Sequence, residues 1–238
     1  MTWDQVQGAP VPALLAAANA AADSDPSAPT RLKLRNLVDP NLRNQIPQLE
    51  IIFSDGYTGV KGYPPANSSL YGKGFFTLIA AIQHPLSRGS VHVNTTSPSS
   101  ATKPIINPNY LAQKYDLLAA VAATKYARMV ANTYPLNETW VAEYEPGPAV
   151  QSDRDFEVFA KNTTLTIYHP SGTCAMMPRA EGGVVDAELR VYGTTNLRVV
   201  DASIMPVILS AHLQTAVYGI AERAAEMLAK THGYKAQG

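Results

Sequence analysis

The segment Gln48-Leu-Glu-Ile-Ile-Phe-Ser54 is rich in β-branched and aromatic residues, a composition typical of a β-strand. Similar composition predicts strands at residues 75–82 and 90–94, and Pro85-Leu-Ser-Arg-Gly89 predicts the turn between them. Helices are predicted later in the chain, at residues 111–134, 153–161 and 213–230. Because the strands come in a run before these helices, the order favours an α+β fold over alternating α/β units, with an antiparallel sheet and helices packed on one face.

The two ends of the chain differ from this central part. Residues 1–30 are rich in Ala, Pro and Ser, which predicts a short helix followed by a mobile loop. Near the other end, the composition of residues 197–203 predicts a short strand that ends at an acidic residue, Asp201. The helix predicted at 213–230 is amphipathic, with Leu213, Val217 and Ile220 on its apolar face.

The composition restricts the classes of partner. Hydrophobic residues make up 46% of the 238 residues and charged residues 16%, so the chain has enough apolar side chains for a sizeable core. Nineteen basic residues balance nineteen acidic ones, which gives no electrostatic footprint for nucleic acid or for an anionic membrane surface. No apolar run approaches the ~20 residues that span a bilayer. A small molecule or another protein surface is therefore the expected partner.

The cellular location stays open. Cys174 is the single cysteine, so the chain cannot form an internal disulfide. Asn-X-Ser/Thr acceptor sites at Asn67, Asn94, Asn137 and Asn162 favour secretion. The N-terminus argues against it, because an acid stands where a signal peptide carries positive charge.

Two histidines are candidates for chemistry. His169 precedes a turn that contains Pro170 and Gly172, and His212 stands at the predicted start of the last helix. A histidine at a helix N-terminus feels the positive end of the macrodipole, which favours the neutral imidazole that a base near pH 7 requires. On spacing alone, the alternative that both are ordinary polar residues stays open.

Four motifs give the chain a resemblance to a known family. Their order and approximate spacing resemble those of the C-terminal part of glucose–methanol–choline oxidoreductases, over residues 45–230. The motifs are His84-Pro-Leu-Ser-Arg-Gly-Ser90, Pro104-Ile-Ile-Asn-Pro-Asn-Tyr-Leu111, His169-Pro-Ser-Gly-Thr-Cys-Ala-Met176 with Gly183-Val-Val-Asp186, and Asn196-Leu-Arg-Val-Val-Asp-Ala-Ser-Ile-Met-Pro206, the last running through His212 into a helix with Ala221-Glu-Arg-Ala224.

The resemblance implies roles for particular residues. His169 matches the family's catalytic histidine, the general base that takes the alcohol proton while hydride passes to the flavin of FAD. His212 matches the second active-site position, which hydrogen-bonds the substrate oxygen. The positions that match flavin contacts are Asp201, Ala202, Gln214 and Thr215.

The other polar residues have ordinary interpretations. His84 is expected to fill or cap its turn, and Arg88 to make a structural ion pair or bind carbonyls. Asp116 and Glu222 are expected to be helix-surface charges, and no His, Cys or Asp cluster has the spacing of metal ligands. We therefore expect no metal site.

The resemblance also suggests how the chain is divided. We divide it into an N-terminal segment 1–44, a substrate-binding domain 45–165, and a catalytic and flavin-facing segment 166–232. A Gly-x-Gly-x-x-Gly turn, which places the flavin pyrophosphate at a helix N-terminus in such folds, does not occur in the sequence. We therefore expect the isolated chain to hold FAD weakly and to be inactive alone.

Two functions follow from these observations. The first is the C-terminal portion of an FAD-dependent alcohol oxidoreductase, an oxidase or a dehydrogenase, with an alcohol as substrate and a separate flavin-binding chain or self-association as the protein partner. The alternative is a flavin-free derivative that uses the pocket for binding or for lyase or cyclase chemistry. The sequence does not identify the substrate.

Overall fold

The computed structural model describes residues 1–95 and 102–234. The acceptor site predicted at Asn94 extends to residue 96, which lies outside the described residues. The helices are α1 (Val11–Ser24), α2 (Ala28–Val38), α3 (Pro40–Arg43), α4 (Lys114–Ala131), α5 (Asp153–Thr163) and α6 (Gln214–Thr231). The strands are β1 (Leu49–Asp55), β2 (Phe76–Ile82), β3 (Ser90–His92) and β4 (Ile105–Asn107).

The strands form two separate antiparallel ribbons. β1 pairs with β2 in a register that runs from Leu49 opposite Ile82 to Asp55 opposite Phe76. β3 pairs with β4, which lies in the segment that the sequence analysis gave only as the approach to a helix. Helices pack against the β1–β2 ribbon, so the predicted α+β class with antiparallel strands is confirmed.

The main core lies between this ribbon and α1, α2 and α4. Leu14, Leu49 and Tyr115 are each 1% exposed within it. The buried indole of Trp3 donates a hydrogen bond of 2.8 Å from Nε1 to the Tyr115 hydroxyl, which joins the N-terminus to α4. We call residues 1–131 the helix–sheet body, because the main hydrophobic cluster lies within them.

The turn after β2 is held by a buried acid. The Asp116 carboxylate accepts hydrogen bonds of 2.7 Å from the backbone N–H groups of both Leu86 and Ser87. Asp116 is 1% exposed, so the prediction of a helix-surface charge was wrong. Burial raises the pKa of this carboxyl group, and the hydrogen bonds from Ser87 and Leu86 oppose that shift. Nearby, Lys33 Nζ donates to the Pro85 carbonyl at 2.6 Å.

The N-terminal segment is more helical than its composition predicts. A second helix, α2, begins at Ala28, so only residues 25–27 separate it from α1. Pro29 stands in the first turn of α2, where a missing N–H costs nothing because that group has no partner within the helix. The Thr30 hydroxyl donates to Asp25 across the short connection. The prediction of a mobile loop there was wrong.

The last part of the chain, residues 166–231, is called the C-terminal arm. The strand predicted at 197–203 is replaced by an isolated bridge between Arg190 and Arg198 and by a short 3-10 turn at Ala202–Ile204. The Asp201 carboxylate begins that turn by accepting from the Ser203 N–H at 2.8 Å. A small cluster of Val185, Leu189, Ile204 and Ala224 attaches α6 to the arm. No helix among the described residues has the length and apolar character needed to cross a membrane.

Candidate active site

His169 lies in a loop that follows α5. Tyr168, directly before it, has a φ of 64°, and Gly172 after it has a φ of 84°. A Cβ at Gly172 would also lie 3.3 Å from the Met205 carbonyl oxygen, so this glycine permits a close approach of two chain segments. Backbone hydrogen bonds join them: Cys174 N–H donates to Ser203 at 3.0 Å, and Met176 N–H donates to Ile204 at 2.8 Å. The His169 loop is therefore attached to the segment that leads to His212.

His212 lies two residues before α6 and contacts the helix–sheet body. Its Nε2 is 3.1 Å from Oε1 of Glu50, a residue of β1. The other carboxylate oxygen of Glu50 accepts a 2.7 Å hydrogen bond from Nε2 of Gln83, which is buried just after β2. The body thus holds the acid that orients this histidine. Neither Glu50 nor Gln83 stands in a sequence pattern that predicts a site residue.

The structure brings the two candidate histidines together. The ring centroids of His169 and His212 are 4.8 Å apart, and the ring planes meet at 87°. The side chain of His212 is 55% exposed, so the histidine pair is accessible to solvent. Direct or one-water hydrogen bonding to one shared hydroxyl requires ring nitrogens within about 10 Å of each other, and this geometry satisfies that requirement.

The residues expected to face flavin flank His212 in the sequence, and their side chains are exposed or half-buried. Asp201 is exposed and Ala202 is half-buried. Gln214 and Thr215 are exposed in the first turn of α6, a helix that begins without a side-chain cap. The first N–H groups of a helix need acceptors from outside the helix, so this end is suited to a polar or anionic ligand. Among the described residues, no three His, Cys, Asp or Glu side chains are grouped as metal ligands.

The fold places the two motif histidines, His169 and His212, side by side. A sequence model for the C-terminal region of the family described as GMC oxidoreductase matches residues 85–221. The chain belongs to the GMC oxidoreductase family. The matched range contains both His169 and His212, together with Asp201 and the first turn of α6.

Curated relatives show how much of such a protein the chain represents. It is 46% identical over 155 residues to the GMC oxidoreductase family protein Mala s 12 of Malassezia sympodialis, covering 65% of this chain and 25% of that protein. It is 36% identical over 181 residues to patulin synthase of Aspergillus clavatus, covering 75% of this chain and 28% of the relative. The chain spans about a quarter of the length of these relatives.

Solved structures also match this chain to one part of a longer protein. An FAD-dependent oxidoreductase from Chaetomium thermophilum superposes with a TM-score of 0.75 at 25% identity, over 99% of this chain and 38% of that one. A fungal aryl-alcohol oxidase superposes with a TM-score of 0.70 at 28% identity, over 92% of this chain and 36% of that one. Both likenesses extend over nearly the whole chain.

Proposed function

We propose that this chain is the substrate-side part of an FAD-dependent alcohol oxidoreductase, in which His169 and His212 act on one substrate hydroxyl. The observation that carries the proposal is the 4.8 Å separation of the two imidazole rings at the open end of the site. Two imidazoles at this separation can both contact one oxygen, and neutral imidazole is a suitable proton acceptor near pH 7.

Each histidine has a distinct part in the proposal. The Glu50 carboxylate accepts from Nε2–H of His212, which fixes the orientation of this ring beside His169. His169 has no such carboxylate bond among the described residues, and it takes the hydroxyl proton. FAD, when bound, supplies the acceptor for the hydride.

The residues present fit one end of FAD. Gln214 and Thr215, in the uncapped first turn of α6, and Asp201, at the 3-10 turn, would hold the ring and ribityl portion. A glycine-rich phosphate turn does not occur in the sequence, so the pyrophosphate would be held by other protein groups. This asymmetry favours a flavin shared with a second protein body.

The exposed surface also supports a second body. The chain exposes 14,670 Å² of solvent-accessible surface. A self-contained monomer of 25.6 kDa exposes only about 10,000 Å² by the usual scaling of area with mass. The excess, together with exposed apolar side chains such as Tyr218 and Leu228 of α6, is consistent with a large surface that a flavin-binding chain or a second copy covers.

A reconstitution experiment tests the proposal. The chain is co-expressed with the part of the Chaetomium thermophilum FAD-dependent oxidoreductase that it does not cover, and we call this assembly the completed enzyme. Aryl, aliphatic, sugar and polyol alcohols are then offered with an artificial electron acceptor. We expect oxidation of at least one alcohol class and loss of activity in His169→Ala. A flavin-loaded assembly that oxidises none of them would overturn the proposal and leave binding, lyase or cyclase chemistry to be assayed.

A further inference from the structure

A third histidine lies behind the candidate site. His84, two residues after the end of β2, is only 2% exposed, and its Nε2 lies 2.6 Å from the Ser210 hydroxyl oxygen. Its other ring nitrogen, Nδ1, is buried and has no hydrogen-bond partner among the described residues. Burial and the nearby Lys33 lower the pKa of His84 to about 4, so the ring is neutral at physiological pH.

Ser210 belongs to the segment that carries His212. Residues 206–212 make no backbone–backbone hydrogen bonds within the described part of the chain. The segment is anchored at both ends by buried apolar residues, Met205 and Leu213, while Leu209 between them is 46% exposed. Side-chain bonds from Ser210 and His212 to the helix–sheet body are therefore the polar contacts that fix its course.

Both of those contacts reach adjacent residues at one end of the β1–β2 ribbon. Gln83 donates to Glu50, which bonds His212, and its neighbour His84 bonds Ser210. Gln83 is itself fixed, because its N–H donates to the Gln48 carbonyl at 3.0 Å across the ribbon. We infer that His84 is a positioning residue of the active site, which fixes the segment 206–212 through Ser210 and so holds His212 against His169.

A nucleophilic role for the Ser210–His84 pair fits the structure less well. A serine nucleophile needs a base whose second nitrogen is oriented by another group, usually a carboxylate. Nδ1 of His84 has no such partner in the described residues. The buried imidazole is also a poor proton acceptor near pH 7. A structural bond between two fixed elements accounts for both observations.

The inference rests on the proposed function, and its test separates the two. The whole 238-residue chain is labelled with ¹⁵N-histidine, and the ring-to-ring NOE between His169 and His212 is recorded, with Tm as a check on folding. Gln places a polar group where His Nε2 lies, and Asn places one where Nδ1 lies. His84→Gln is therefore expected to keep the NOE, whereas His84→Asn and Ser210→Ala are expected to lose it. The exposed His232→Gln is the matched control and leaves the NOE unchanged.

The outcomes differ for the two ideas. If folded Ser210→Ala keeps the full NOE, His84 does not position His212, and the inference is overturned while the alcohol chemistry stands. If the NOE behaves as expected but the completed enzyme oxidises no alcohol, the positioning role stands and the proposed function fails. In an active completed enzyme, Ser210→Ala should lower kcat by about tenfold to a hundredfold, the usual cost of misplacing a catalytic group by about 1 Å. A change in KM alone would contradict the inference.

Discussion

Two helices of equal length show how differently the two regions of this molecule are built. α4 in the helix–sheet body and α6 in the C-terminal arm each have 18 residues. α4 buries seven side chains, including Tyr115 and Asp116, whereas α6 buries only Ala224. Sequence patterning makes both helices amphipathic, so the difference lies in what covers them. α4 packs against α1, α5 and β2, while the buried residue of α6, Ala224, packs in the small cluster of the arm.

The candidate site lies where these regions meet. The body supplies Glu50, Gln83 and His84 from one end of the β1–β2 ribbon, and the arm supplies His169 and His212. A well-packed body can hold a hydrogen-bonding group in place, and a half-covered arm leaves its polar groups accessible to ligands. Under the proposed function, the body holds His212 in position and the arm carries the two histidines that act on the substrate.

The largest expected effect concerns flavin. Because the residues proposed to hold FAD would contact only one end of it, the chain alone should retain no stoichiometric flavin after gel filtration, whereas the completed enzyme should retain it. Absorbance in the flavin bands, divided by the absorbance of the protein, gives the number of flavins bound per chain. Stoichiometric flavin on the isolated chain, bleached by an alcohol, would show that the arm needs no second body.

Paired leucine substitutions test the packing difference. Leu14→Ala in the body removes a side chain that is 1% exposed and should cost about 2–5 kcal/mol of unfolding free energy. Leu228→Ala in α6 removes one that is 37% exposed and should cost less than about 1 kcal/mol. Urea unfolding of both variants gives the values. Equal costs would mean that α6 is as well covered as α1 in solution.

The buried histidine of the body gives a pH dependence. His84 has a folded pKa of about 4, lowered by burial from its ordinary value of 6.5. The unfolded chain therefore takes up a proton at higher pH than the folded chain. This contribution to stability is complete above pH 6.5 and is lost as the pH falls towards 4.

The expected loss between pH 7 and pH 5 is about 2 kcal/mol. The buried carboxyl of Asp116 has a raised pKa, and its contribution changes with pH in the opposite sense. Urea unfolding of the wild type and His84→Gln at the two pH values isolates the histidine, since Asp116 is common to both. If the unfolding free energy of the wild type depends on pH no more steeply than that of His84→Gln, the ring of His84 is in contact with water in the folded chain.

The smallest effect concerns the acid that joins the regions. Glu50→Gln keeps the size of the side chain but removes the charge 3.1 Å from Nε2 of His212. In the completed enzyme it should lower kcat by about tenfold, because a single amide oxygen cannot accept from both Gln83 and His212 and the bond that orients His212 is weakened. Glu222→Gln, at an exposed position of α6, is the matched control. Identical kcat values for the two variants would remove Glu50 from the site.

Local patterns in the sequence predicted much of this fold. The spacing of apolar residues predicted α4, α5 and α6, although α4 begins at Lys114 and not at Leu111. Asn109 and Leu111 have φ values of 51° and 56°, and this left-handed conformation cannot continue a right-handed helix. The helix α2 was missed because Pro and Ser near its start were interpreted as loop residues.

The supporting residues of the site could not be predicted in the same way. His169 and His212 stand in recognisable motifs, but Glu50 is a strand residue that lies 162 positions from its partner. Asp116 has a sequence context that resembles a helix surface, and only the packing of the turn after β2 buries it. Contacts between distant segments decide such roles, and neither periodicity nor composition records them.

The most direct test of the histidine pair is the rate of flavin reduction by alcohol in the completed enzyme, measured without oxygen in a stopped-flow instrument. This step contains the proton transfer and the hydride transfer but no later oxidation of the flavin. We predict that His169→Ala lowers the limiting reduction rate by about 10²–10⁴-fold, the usual contribution of a general base. A limiting rate equal to that of the wild type, with only the apparent affinity for alcohol reduced, would contradict the account and make His169 a binding residue.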